Sequence, residues 1–148
     1  MRKLATGSKS PEAWAVEIRD WFASWSDNHS ALLEPIIPVL LDDFADHFHR
    51  TQAPYGTWPP RVDNLPHPLL NLTGKMKQAA TTRGAPGNIS LVEPFQLTVG
   101  VDGSIVNYAS FQNDGTSRIP ARPFIWLSER AEDEAFDAYV EAAAAALL

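Results

Sequence analysis

The sequence predicts an α+β domain in which two or more helices cover an antiparallel sheet built around a hairpin at about residues 95–108. Apolar residues recur at helical spacing in three segments of the chain. Phe95–Val99 alternates apolar and polar side chains, as a half-buried strand does. Asp102 and Gly103 then form a two-residue hairpin signal, and folding the chain there places Val99 opposite Val106. The 148 residues are expected to form a single domain.

The first helix is predicted at about residues 11–26. Ser10 is a suitable N-cap, with Pro11 at the first helical position and Glu12 in the first turn. The helix is rich in tryptophan, and its apolar stripe consists of Trp14, Ile18, Trp21, Phe22 and Trp25. Such a stripe is either a contact surface for a partner or a face buried on the chain's own core.

A second helix is predicted from about Pro35 to Arg50, with both of its prolines in the first turn. Its buried stripe is Ile37, Leu40, Leu41, Phe44 and Phe48. Residues 51–68 hold five prolines and are expected to form a stiff, extended loop that is long enough to suggest a functional role. A short helix is expected from Pro68 to about Ala80, although Gly74 weakens it.

The last helix is expected to begin after Ser128, which is a suitable N-cap followed by acidic residues that complement the helix dipole. Its predicted apolar side is Phe136, Tyr139, Val140, Ala143 and Leu147.

The segment 119–127 precedes this helix and is predicted to be stiff. Ile119 and Arg122 each precede a proline, which favours extended backbone at both positions. In a strand, Phe124 and Trp126 would point to one side, and Ile125 and Leu127 would point to the other. A strand that is apolar on both faces needs cover on both, which indicates assembly rather than catalysis.

Composition and charge limit the possible functions. The net charge is −6, and no basic face of the kind that binds nucleic acid is evident. The acidity suits either a surface that repels passing nucleic acid or an ordinary soluble surface. The chain has no cysteine, which excludes disulfides and thiol catalysis. We expect no signal peptide and no membrane span, because no apolar run approaches ~18 residues.

One cluster has the residue types of a metal or acid–base site. Asp43 and His47 are four residues apart and share a helix face, as do Asp42 and Asp46. Two such ligands could serve a metal-dependent hydrolase, but a third ligand is not evident. The alternative is a solvated helix face on which Asp46 and Arg50 form a weak ion pair. We therefore expect no enzyme activity, no cofactor and no bound metal.

Three stretches together resemble the virion morphogenesis family of tailed phages, whose members are tail-completion and head–tail joining proteins of the neck. Ile-Pro-Ala-Arg-Pro-Phe at residues 119–124 is the most specific, and Tyr108-Ala109, Gly115-Thr116 and Leu127-Ser128 flank it. Residues 51–59 are similar to the family's proline- and tryptophan-containing stretch, and residues 72–76 to its Leu-x-Thr-Gly-x-Leu element. Relatives often carry His-Gln-aromatic-Gly where this chain has Gln112-Asn-Asp-Gly115.

The resemblance implies a structural protein of the virion that completes or joins the tail as part of a homo-oligomeric ring, expected to be a hexamer. Its partners would be its own copies and neighbouring neck and tail proteins, with DNA only passing through the lumen. It would be found in the host cytoplasm during assembly and in the virion afterwards. Within the neck, the chain could be either a tail terminator or a head-side connector. A third alternative is a transient assembly chaperone. The candidate interface residues are Trp58, Arg118, Arg122, Phe124 and Trp126.

Arg122 has two possible roles within this hypothesis. It could form a bidentate ion pair with an acidic group on a neighbouring protomer. It could instead pair within its own chain, for example with the acidic start of the last helix.

Overall fold

A computed structural model describes residues 19, 29–62, 66, 68–71 and 73–147. The predicted tryptophan-rich helix at residues 11–26 lies outside the described residues, apart from Arg19. The α+β class is confirmed, since the described residues form helices and two small antiparallel sheets. In chain order, the elements are α1 (Ile36–Arg50), β1 (Gln52–Ala53), β2 (Gly56–Thr57), α2 (Lys75–Thr81), β3 (Asn88–Glu93), β4 (Gln96–Val101), α3 (Ala109–Asp114) and α4 (Glu129–Leu147).

Helix α1 is the element on which the rest of the fold packs, and it closely matches its prediction. Ile37, Leu41 and Phe44 are buried in a small core that also includes residues of β3 and β4. Phe48, one turn further on, enters a second core with Trp58. The helix ends at Thr51, whose backbone has the left-handed conformation.

The larger sheet is a hairpin of β3 and β4 at residues 88–101, so the predicted turn at Asp102–Gly103 is wrong. Val99 pairs with Ser90 rather than with Val106. The Asp102 carboxylate instead accepts hydrogen bonds from the backbone N–H and hydroxyl of Ser104, which holds a tight turn at the end of β4. The chain then leaves the sheet, and Val106 is fully buried in the second core.

Helix α2 begins later than predicted. Gly74, which directly precedes the helix, has a left-handed backbone conformation. Leu70 also has a left-handed conformation, with φ 58°. A helix cannot continue through such residues, which explains why residues 68–71 and 73–74 are not helical. Met76, Ala79 and Ala80 of α2 are buried in the second core with Phe124.

The segment 119–127 forms no strand, so the strand interpretation of its sequence is wrong. Pro120 and Pro123 have no N–H to donate to a sheet. The N–H groups of Phe124 and Ile125 donate instead to the side chain of Asn113. Burial also differs from a two-faced strand, because Phe124 is buried and Leu127 is exposed.

Helix α4 begins at the predicted cap but buries a different side. Ser128 Oγ accepts a hydrogen bond from the Ala131 N–H over 3.2 Å, which confirms the N-cap. The helix packs on α1, with Ala131 completely buried. Phe136 and Val140 of the predicted apolar side are 67% and 45% exposed. The Leu147 side chain lies outside the described residues.

Candidate assembly surface

The most specific sequence motif, residues 119–124, begins after a turn that requires glycine. Gly115 has φ 77°, and a Cβ at this position would lie 2.7 Å from the backbone nitrogen of Ala121. The Thr116 N–H donates to the Ile119 carbonyl over 2.8 Å, and the Thr116 hydroxyl accepts from the Ile119 N–H over 3.0 Å. The turn therefore brings the motif back against α3.

Helix α3 holds the returning segment through polar groups. Asn113 Oδ1 accepts hydrogen bonds from the N–H groups of Phe124 and Ile125, over 3.0 and 3.1 Å. The Arg122 N–H donates to the Gln112 carbonyl over 2.8 Å. These bonds satisfy backbone donors that have no sheet partner.

Residues 58–60, which follow the small β1–β2 hairpin in the region predicted as a loop, also hold this segment. Trp58 is 3% exposed, and its indole N–H donates to the Pro123 carbonyl over 2.7 Å. The Arg122 guanidinium donates from Nε to the Pro59 carbonyl over 3.0 Å and from Nη2 to the Pro60 carbonyl over 3.2 Å. Arg122 therefore bonds within its own chain, to two backbone carbonyls rather than to the acidic start of α4.

Helix α1 forms the third support through His47. Its ring stacks on Trp126 with the ring centres 3.9 Å apart, and Nδ1 lies 3.1 Å from the Phe124 carbonyl. Burial lowers the pKa of His47 below its ordinary value, because desolvation disfavours the imidazolium. The Phe124 carbonyl and the neighbouring Asp43 act in the opposite direction. In the neutral form, a proton on Nδ1 makes the bond to Phe124.

The residues of the predicted metal or acid–base cluster have structural contacts. Asp43 is 2% exposed, and both of its oxygens accept hydrogen bonds from Ser128. His47 Nε2 lies 3.4 Å from Asp43 Oδ2. Asp46 forms the predicted ion pair with Arg50 over 3.5 Å. Within the described ranges, no three His, Cys, Asp or Glu side chains are grouped as ligands for a metal ion.

A groove of about 600 Å³ opens beside the motif segment. We call it the arginine groove, because Arg61, Arg118 and Arg122 line it and its described lining includes no acidic residue. Its apolar lining is Val62, Leu69, Leu70, Met76, Tyr108, Ile119 and Pro120. Arg118 is exposed, and within the described residues its guanidinium forms no ion pair. The groove therefore offers the exposed guanidinium of Arg118 beside apolar walls.

A second surface is the side of α4 that faces away from α1, which we call the α4 outer face. Helical spacing places Phe136 and Val140 on it with Glu129, Glu132 and Asp133. All five of these residues are exposed. The face is thus apolar in the middle of the helix and acidic toward its N-terminus.

The five predicted interface residues divide by burial. Trp58, Arg122 and Phe124 are buried inside their own chain, and Trp126 is half-buried against His47. Arg118 alone is exposed, in the lining of the arginine groove. Whether any of them contacts a partner remains a prediction, and the three buried side chains would act on such a contact through the fold.

Sequence reasoning missed both the groove and the α4 outer face. The groove combines side chains from four separate parts of the chain, which no local pattern predicts. The available signal for α4 was its charge, since six of its residues are acidic and one is basic.

No protein-family model, curated protein or solved structure matches this chain significantly. Among the described residues, no helix is both long and apolar enough to cross a membrane.

Proposed function

We propose that this chain is a structural subunit of a tailed-phage virion, which completes or joins the tail at the head–tail junction as part of an oligomeric ring. The observation that supports this proposal most is the mutual bonding of the two motifs that carry the family resemblance. Trp58 and Arg122 link the 51–59 stretch to the 119–124 stretch through two hydrogen bonds, and Arg122 donates a third to the carbonyl of the adjacent Pro60. The two motifs therefore stabilise each other's conformation, which is a structural role rather than a catalytic one.

Exposed apolar side chains also support assembly. Ten large hydrophobic residues in the described part of the chain are exposed, and Tyr55 and Phe136 are each 67% exposed. Isolated exposed hydrophobic residues are ordinary, but contiguous ones mark sites of interaction. Phe136 and Val140 are contiguous on α4, since they are one helical turn apart.

The proposed partners are further copies of this chain and the neighbouring neck and tail proteins. The net charge of −6 suits a ring through which DNA passes without being gripped. The proposed location is the virion neck or tail end, after assembly in the host cytoplasm.

Two measurements test this function. The purified protein is expected to form closed rings in negative-stain electron micrographs. Mass spectrometry of particles produced from the genome that encodes this chain is expected to detect it at a stoichiometry of several copies per particle. Absence from finished particles would contradict the proposal and favour a transient assembly chaperone.

A further inference from the structure

Two surfaces of this chain are complementary in charge and in polarity. The arginine groove has apolar walls, and its charged lining residues within the described ranges are all arginines. The α4 outer face has Phe136 and Val140 beside three exposed acidic residues. Opposite charges around an apolar centre favour one docking orientation over others.

The two surfaces belong to different parts of the molecule. The described lining of the groove comes from residues 61–76 and 108–122, and it includes no residue of α4. Helix α4 packs on α1 through its opposite side, where Ala131 is fully buried. Docking of one surface on the other between two copies would leave a free groove and a free α4 outer face at the two ends.

We propose that the arginine groove of one copy receives the α4 outer face of the next copy. Phe136 and Val140 insert between the apolar walls, and Arg118 faces Glu132 and Asp133. Such a contact is heterologous, and repetition of it closes into a ring when the rotation per subunit divides a full turn. The inference rests on the proposed function, because it names the subunit contact of that ring.

Disulfide trapping tests the contact directly, because the chain has no cysteine of its own. The variant that combines Phe136→Cys with Ile119→Cys is expected to give a ladder of covalent oligomers beyond the dimer under mild oxidation. Each single variant is expected to give no ladder. The matched control pairs Phe136→Cys with Leu91→Cys, since Leu91 is 51% exposed but lies on β3, outside the groove.

Four outcomes of the trapping experiment would overturn the proposal. Dimers from Phe136→Cys alone would indicate a symmetric contact between two α4 helices. A bond within one chain would place α4 in its own groove. Equal ladders from the Leu91 control would indicate random collision, and the lack of any ladder would show that the two surfaces do not meet.

Charge reversal provides an independent test on folded protein. Arg118→Glu and the double variant Glu132→Arg/Asp133→Arg are each expected to weaken self-association about tenfold or more. An equal mixture of the two proteins is expected to assemble again, because each then offers a surface that complements the other. Glu141→Arg is the matched control, because Glu141 is exposed on α4 but lies away from Phe136 around the helix. Failure of the mixture to recover would contradict the pairing.

The outcomes separate this inference from the proposed function. Closed rings without a Phe136–Ile119 bond would leave the ring in place and refute this contact. A specific ladder from a protein that is absent from finished particles would support the contact and refute the role in the virion.

Discussion

Asp43 and Ser128, which stand 85 residues apart in the sequence, are joined by two hydrogen bonds. The Ser128 N–H donates to Asp43 Oδ2 over 3.0 Å, and the Ser128 hydroxyl donates to Oδ1 over 2.6 Å. The same hydroxyl oxygen accepts from the Ala131 N–H in the first turn of α4. One buried carboxylate on α1 therefore fixes the start of α4 and helps to determine which side of that helix faces outward.

Removal of this carboxylate is expected to destabilise the fold. Asp43→Ala leaves two donors of Ser128 without a partner, and we expect a loss of about 3 kcal/mol in the free energy of unfolding. Asp42→Ala is the matched control, because Asp42 is an exposed neighbour on the same helix. Urea denaturation measures the free energy of unfolding of both variants. A loss at Asp43 no larger than that at Asp42 would contradict the anchoring role.

The stability of the protein is expected to fall as the pH is lowered below the ordinary pKa of histidine, about 6.5. Because burial depresses the pKa of His47, the unfolded chain binds more protons than the folded chain between the folded-state pKa and 6.5. The contribution of the neutral His47 to stability is therefore fully present above pH 6.5. It is lost progressively as the pH falls from 6.5 to the folded-state pKa of His47. Asp43, Asp46 and Arg130 are the charged groups that act on the ring.

Two glutamine variants isolate the contribution of His47 to this pH dependence. Urea unfolding between pH 8 and pH 5 is expected to show a flatter profile for His47→Gln than for the unmodified protein. His49→Gln should keep the original profile, since His49 is exposed on the same helix. Identical profiles for all three proteins would show that His47 does not contribute.

Gly115→Ala is expected to be among the more destabilising single substitutions. The new Cβ would combine a left-handed backbone with a backbone contact at 2.7 Å. Gly84→Ala provides the control, because Gly84 has φ 81° but nothing within 4 Å of the added Cβ. We expect about 1–2 kcal/mol for the backbone conformation alone at Gly84, and a larger loss at Gly115. Equal losses in thermal or urea unfolding would show that the turn relaxes easily.

Two arginines in the same groove are expected to differ in what they control. Arg122→Ala removes hydrogen bonds to the Pro59 and Pro60 carbonyls and should lower the free energy of unfolding by about 2 kcal/mol. Arg118→Ala should leave the stability within about 0.5 kcal/mol, because its side chain is exposed. Self-association is expected to weaken in Arg118→Ala under conditions where the protein is fully folded. Lower stability in Arg118→Ala, together with weaker self-association in a stable Arg122→Ala, would contradict this assignment of roles.

The parts of the fold that depend on neighbouring residues could be predicted from the sequence. The periodic apolar stripe gave the bounds of α1 to within one residue, and Ser128 was correctly identified as a cap. The hairpin was misplaced because Asp102 and Gly103 carry a strong local signal. The observed turn between β3 and β4 instead has Phe95 at φ 65°, a conformation that the sequence does not favour.

The candidate surfaces depend on contacts between residues that are distant in the sequence. Phe136 belongs to an apolar stripe, and such a stripe is normally buried. Its exposure follows from the burial of Ala131 on the opposite side of α4 and from the anchoring of Ser128 by Asp43. Likewise, the burial of Arg122 could be determined only once the 51–60 loop was placed beside it.

The native mass of the purified protein over a wide range of concentration tests the central claim most directly. The account predicts one discrete closed species whose mass is an integral multiple of 16.3 kDa, and a hexamer would have about 98 kDa. The mass of this species should stay the same as the protein is diluted or concentrated. A strict monomer at every concentration, or an open series of ever larger species, would contradict a subunit that closes into a ring.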